Sequence, residues 1–200
     1  MAKTRGYRGE PDPKLLQPVR RDSWPESGDT YVADIRGLGI DESRFKYVPQ
    51  GGLIELSPEG GVLSVYRGRQ TTSEDRPLDH VGSEGFGFCS LAVIRTSDGR
   101  RIFSHVEPGA DDFWQNMGSE PMGGRKWQSA QGVVGYGSVS SRASAEYYLE
   151  KGTWGPTEVS RIEVETGGAH WAATFDTRTD EVAIVRKTPD KKIFRFKPFG

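Results

Sequence analysis

The chain of 200 residues carries one cysteine, Cys89, and three histidines, His80, His105 and His170. Cys89 and His105 bracket a segment that reads as a β-hairpin, with a strand over 90–96, a turn at Ser97, Asp98 and Gly99, and a second strand over 101–106. A thiol and an imidazole carried on one hairpin are the ingredients of nucleophilic catalysis. The imidazole takes the thiol proton, the thiolate attacks a carbonyl carbon, and the imidazolium then protonates the leaving group. The structural alternative is a cysteine that fills a strand and a histidine at the surface, because free cysteine is among the most buried residue types.

Hairpin register separates the two. A two-residue turn at Asp98 and Gly99 places His105 opposite Ala92 and turns Cys89 to the other face. A three-residue loop with Gly99 in the left-handed conformation places His105 opposite Leu91, diagonal to Cys89 on one face. Asp-Gly after a serine suits the second arrangement. Diagonal neighbours lie roughly 7–8 Å apart at the backbone, within reach of an imidazole.

The elements around this hairpin read as short strands and turns. Residues 1–30 hold four prolines, many charges and little apolar periodicity, which predicts a poorly ordered arm followed by one folded domain over 31–200. Strands are expected at 31–35 and 45–48, and a hairpin joins 53–56 to 62–66 through Ser57, Pro58, Glu59, Gly60 and Gly61. Residues 70–79 are polar and read as a loop that walls a cleft beside the cysteine. Helices are expected at 111–117 and 141–151, and a strand at 133–136. Strands at 161–165, 171–176, 181–186 and 192–196 form a terminal meander. The predicted fold class is therefore α+β, a β-rich single domain whose antiparallel or mixed sheets form a sandwich-like core with about two helices.

Composition bounds the partners. Lys and Arg total 27 against 28 Asp and Glu, a net charge of -1, which gives no global field for nucleic acid or an anionic membrane. One cysteine excludes an internal disulfide and a multi-cysteine metal site. Three dispersed histidines make no zinc site, and no glycine-rich segment has the spacing and lysine of a phosphate loop, so neither metal nor cofactor is expected. No apolar run suits a signal peptide or a membrane span; the chain is expected to be made in the cytoplasm, and any export needs a specialised secretion route.

The pattern around the dyad resembles the cysteine-dependent glutamine deamidase superfamily of the chemotaxis deamidase CheD, the cytotoxic necrotizing factors and Burkholderia lethal factor. A cysteine opens a strand after a glycine-containing turn, a histidine follows sixteen residues later on the next strand, and a hydroxyl stands six residues before the cysteine: Cys89, His105 and Ser83. The lethal factor branch is the most similar, because its histidine strand is likewise followed by an acidic segment and a Phe-Trp-x-x-Met helix, here Phe113, Trp114 and Met117. Ala145, Tyr148, Leu149, Glu150 and Gly152 resemble its later helix. The likeness covers 83–152, about a third of the chain. It departs from the family at Phe86, Gly87 and Phe88, where the family has Leu-Ser-Gly or Leu-Gly-Ser before the cysteine, and at Ser83, where the family has threonine.

The resemblance implies a hydrolase acting on a protein glutamine. Cys89 is the nucleophile, His105 the base, Ser83 the orienting third member, and Gly87 and Phe88 line the oxyanion and substrate region. It implies a toxin or effector, monomeric and without cofactor, whose partner is a host or competitor regulatory protein that gains a charge where an amide sat. Alternatives are a transglutaminase-type acyl transferase, in which an amine replaces water, and a non-enzymatic β-rich interaction module with a structural cysteine. His80 is either a second candidate base or, as its polar setting favours, a solvent-exposed loop histidine, and His170, beside Trp171, is either a residue of the same cleft or a histidine at the core edge.

Overall fold

The computed structural model of the chain describes residues 40–67, 70–107, 131–136, 158–163, 170–186 and 193–199. The expected arm and its boundary with the domain, the strand at 31–35 and the helices at 111–117 and 141–151 lie outside the described residues.

Strands dominate what is described, after one 3-10 turn at Glu42–Arg44. In chain order they are β1 (Phe45–Tyr47), β2 (Gly52–Leu56), β3 (Gly61–Arg67), β4 (Gln70–Pro77), β5 (His80–Phe86) and β6 (Ser90–Arg95). There follow β7 (Arg101–Val106), β8 (Gln131–Tyr136), β9 (Glu158–Glu163), β10 (Trp171–Asp176), β11 (Glu181–Arg186) and β12 (Ile193–Phe196). A seven-stranded sheet runs β4-β3-β2-β7-β6-β8-β9, and a five-stranded sheet runs β1-β5-β10-β11-β12. The β8–β9 and β1–β5 pairs are parallel and the other pairs antiparallel.

The sheets share one core. Ile54, Leu56, Leu91, Val93 and Phe103 from the larger sheet meet Val81, Phe86, Trp171, Phe175, Val182 and Ile184 from the smaller. A second cluster, Ile40, Ala172, Ala183, Val185 and Ile193 with Phe45 against it, covers the other face of the smaller sheet. Burial on both faces explains why β10 and β11 read as nearly continuous apolar runs rather than alternating ones.

The β6–β7 hairpin has the three-residue loop. Thr96 N–H donates to the Arg100 carbonyl at 2.9 Å, Gly99 N–H to the Thr96 carbonyl at 2.9 Å, and Gly99 has φ +84°. Thr96 hydroxyl donates to the Asp98 carboxylate at 2.6 Å, which holds the corner. The register that results pairs Leu91 with His105 and Ala92 with Ser104. The first hairpin, β2 with β3, also forms as its turn residues predict.

Two expectations are corrected, and one strand is found that was not expected from the sequence. Residues 70–77 are strand β4, not a loop, and lie at the far edge of the larger sheet, so they wall no cleft beside Cys89. An edge strand pairs on one side only and needs no apolar alternation, which hides it in a polar sequence. Residues 80–86 form β5, disguised by Gly82 and Gly85. The strand at Glu158–Glu163 leaves the terminal meander, which keeps only β10, β11 and β12, and pairs parallel to β8 in the other sheet.

Candidate active site

β5 and β6 are consecutive in sequence but belong to different sheets, so the chain crosses the core through Gly87, Phe88 and Cys89. That crossover carries the cysteine. Alternation along β6 sends Cys89, Leu91 and Val93 to one face, and all three belong to the shared core. Along β7 the same rule sends Phe103 and His105 inward, while Ser104 turns away and donates its hydroxyl to the Gly52 carbonyl at 2.8 Å. Because His105 stands opposite Leu91, Cys89 is its diagonal neighbour on the face they share.

Ser83 reaches the histidine from the opposite sheet. Its Oγ lies 2.7 Å from His105 Nδ1, and both residues are fully buried. This contact spans the core from β5 to β7. Gly51 N–H donates to the His105 carbonyl at 2.9 Å and fixes the backbone beneath the ring. With the ring proton on Nδ1 and donated to Ser83, Nε2 presents its lone pair; that atom is buried and has no hydrogen-bond partner among the described residues.

A bulge makes this arrangement possible. Trp171 pairs with Phe86 and Ala172 with Glu84, so Gly85 is the inserted residue, at φ +81°. Ser83 and Phe86 are three residues apart and would face opposite sides of a regular strand. The inserted glycine brings both into the core. Phe86 then stacks on His105, with centroids 3.9 Å apart at 19°, and on Trp171, at 4.3 Å and 20°. The imidazole is thus held by a hydroxyl at one nitrogen and by an aromatic ring on its face.

Burial sets the protonation states. It lowers the His105 pKa from 6.5 to about 4. Burial, followed by the nearby Glu107 carboxylate, raises the Cys89 thiol from 9.0 to about 11. At neutral pH the pair is a protonated thiol and a neutral imidazole. Such a pair can pass the thiol proton to Nε2 as the sulfur attacks an electrophile, and return it to a departing group. The site is closed: Cys89 is 4% exposed and His105 0%, whereas Phe88 between the sheets is 65% exposed.

The remaining candidates fall elsewhere or at the rim. Gly87 N–H donates to the Gly85 carbonyl at 2.8 Å, which commits that amide to the turn. His80 lies at the opposite end of β5 and contacts Asp176 Oδ2 through Nε2 at 3.4 Å, away from the crossover. His170 is exposed and lies directly over Gly87, on the outside of the crossover. No group of three or more His, Cys, Asp or Glu among the described residues is placed to hold a metal ion. Sequence reasoning missed Phe86 and Trp171 as the stack around His105. The signal was a glycine inside a strand, which marks a bulge and resets the facing of Phe86. No protein-family model matches the chain, and no curated protein matches it.

Proposed function

We propose that the chain is a cysteine-dependent protein-glutamine deamidase, a toxin or effector similar to the lethal factor branch. Its domain is α+β, with a two-sheet sandwich and helices over 111–117 and 141–151. What carries this is the buried contact of Ser83 Oγ with His105 Nδ1 at 2.7 Å, in the register that sets Cys89 diagonal to the ring. Ser83 and His105 are in contact and the register sets Cys89 on the histidine's face, which supports the roles of orienting hydroxyl, base and nucleophile.

In the first step the Cys89 thiol proton passes to His105 Nε2 and the sulfur adds to the glutamine carboxamide carbon. The N–H groups of Phe88 and Cys89 hold the oxyanion. Collapse breaks the C–N bond, and the imidazolium proton leaves with ammonia. Water then adds to the thioester as His105 takes its proton, and the thiol departs to leave glutamate. Ser83 holds Nδ1, which leaves Nε2 free to take the proton. The substrate is a glutamine side chain on a regulatory protein of a host or competitor, and the enzyme works as a monomer without cofactor, nucleic acid or membrane.

A second reading is favoured by one observation, the inclusion of Cys89 in the main apolar core. It makes the chain an interaction module with a structural cysteine.

Alkylation kinetics separate the two. The imidazole is neutral above about pH 4 and the thiol keeps its proton up to about pH 11, so a thiol that hands its proton to the base during attack reacts with iodoacetamide at a nearly constant rate between about pH 5 and about pH 9. A structural thiol reacts only as free thiolate, and its rate climbs about tenfold for each pH unit. A flat profile in the wild type that becomes steep in His105→Ala supports the deamidase. A steep profile in both proteins overturns it. In the same assay a peptide whose glutamine side-chain carboxamide is replaced by a chloromethyl ketone must label Cys89 faster than one carrying the same group on a side chain one methylene shorter; equal rates refute the choice of glutamine.

A further inference from the structure

His105 and Cys89 are closed off from solvent in this structure, and the thiol itself sits at the end of the crossover through Gly87 and Phe88, so movement of that segment is one way to open the site. What holds that crossover down is visible on its outer side. A Cβ placed on Gly87 would meet His170 Cε1 and Nδ1, each at 2.8 Å, so the imidazole lies against the backbone with no room for a methyl group. His170 Nδ1 is 3.4 Å from the Gly85 carbonyl, a long contact in which the ring N–H faces the oxygen. The same histidine immediately precedes Trp171, which is fully buried, pairs with Phe86 and stacks on its ring. His170 is therefore rooted in β10 and lies across the turn that leads to the cysteine.

We propose that His170 is a positioning residue, a latch that holds the Gly85–Cys89 crossover closed over Cys89 and His105 and so governs access to the thiol. It touches neither reacting group. The imidazole acts through the backbone of Gly85 and Gly87, and a Cβ at position 87 would clash with the ring. Release of the latch lets the crossover swing outward, exposing sulfur and Nε2 together. The inference stands on this geometry and needs no particular substrate, so it can fail while the deamidase proposal holds, and the reverse.

The test is the rate of Cys89 alkylation by iodoacetamide at fixed pH, on the full chain. Loss of one hydrogen bond and its packing predicts a rise of about fivefold in His170→Ala. His170→Gln keeps a side-chain N–H for the Gly85 carbonyl and should bring the rate back to within about twofold of wild type. Gly87→Ala forces the imidazole off the turn and should reproduce the rise, and the double variant Gly87→Ala/His170→Ala should react no faster than either single one. Urea midpoints measured alongside separate local opening from global loss of stability. A His170→Ala rate equal to that of the wild type overturns the latch. So does a His170→Gln variant that behaves like His170→Ala, or a double variant in which the two effects multiply. If Gly87→Ala does not fold, the comparison of alanine with glutamine at position 170 decides alone.

Discussion

Acid should unfold this protein through His105 before its carboxylates titrate. In the folded chain burial holds the imidazolium pKa at about 4 rather than 6.5, so between those values the unfolded chain binds a proton that the folded chain refuses. Stability therefore rises with pH across that window. The contribution is fully present above pH 6.5 and is lost as pH falls towards 4. At about 1.4 kcal/mol for each pH unit the loss comes to about 3 kcal/mol, a large share of the stability of an ordinary domain. Asp176 does not blur the measurement. Burial works against its ionisation, but hydrogen bonds from His80 and Arg178 hold its carboxyl well below 3.8, so its own loss lies further into acid. The assay is urea unfolding followed by tryptophan fluorescence at several pH values from 7 to about 4. Wild type is compared with His105→Phe, which keeps a ring under Phe86 but cannot titrate. Removing the imidazole leaves Ser83 without its ring partner, an offset that does not vary with pH. Wild type should lose about 3 kcal/mol more than the variant over the window. Parallel curves for the two proteins refute the buried neutral imidazole and with it the base assigned to the site.

Ser83→Ala strips the hydroxyl from a buried ring nitrogen and should cost about 2 kcal/mol, or a fall in Tm of about 4–8 °C, because the nitrogen is left without a partner. Combined with His105→Phe the loss should be clearly smaller than the sum of the single losses, by at least about 1 kcal/mol; additive losses in thermal melts count against the 2.7 Å contact. Gly85→Ala isolates the bulge. Nothing lies within 4 Å of a Cβ there, so the cost is that of a left-handed backbone at φ +81° alone, about 1 kcal/mol. Gly85→Asn should cost less, and equal unfolding midpoints for glycine, asparagine and alanine would show that residue 85 is not left-handed.

How far the site was legible can be read at particular residues. Asp98 and Gly99 after a serine favour a three-residue loop, and that loop alone sets Leu91 opposite His105 and Cys89 on the histidine's face. Local turn chemistry therefore carried the strand register, which pairs residues fourteen apart, Leu91 and His105. The hairpin β2–β3 was legible for the same reason, a dense turn signal between apolar runs. β4 was not, because an edge strand has no apolar pattern to show. The parallel pairing of β8 with β9 was not, because it joins segments separated by a long connection and leaves no mark in either strand's own alternation.

By itself the sequence determined the residues available: one thiol, an imidazole on the next strand, and a hydroxyl six residues upstream. These are properties of residue type and short-range spacing, which turns and strand alternation convert directly into geometry. Only the tertiary structure decided that the hydroxyl comes from the other sheet, that Gly85 shifts β5 by one residue to lay Phe86 on the imidazole, and that Trp171 stacks on Phe86 within the core while His170 lies against Gly87. It also decided the protonation states, because removal from water, which moves His105 to about 4 and Cys89 to about 11, belongs to the packed sheets rather than to any stretch of chain.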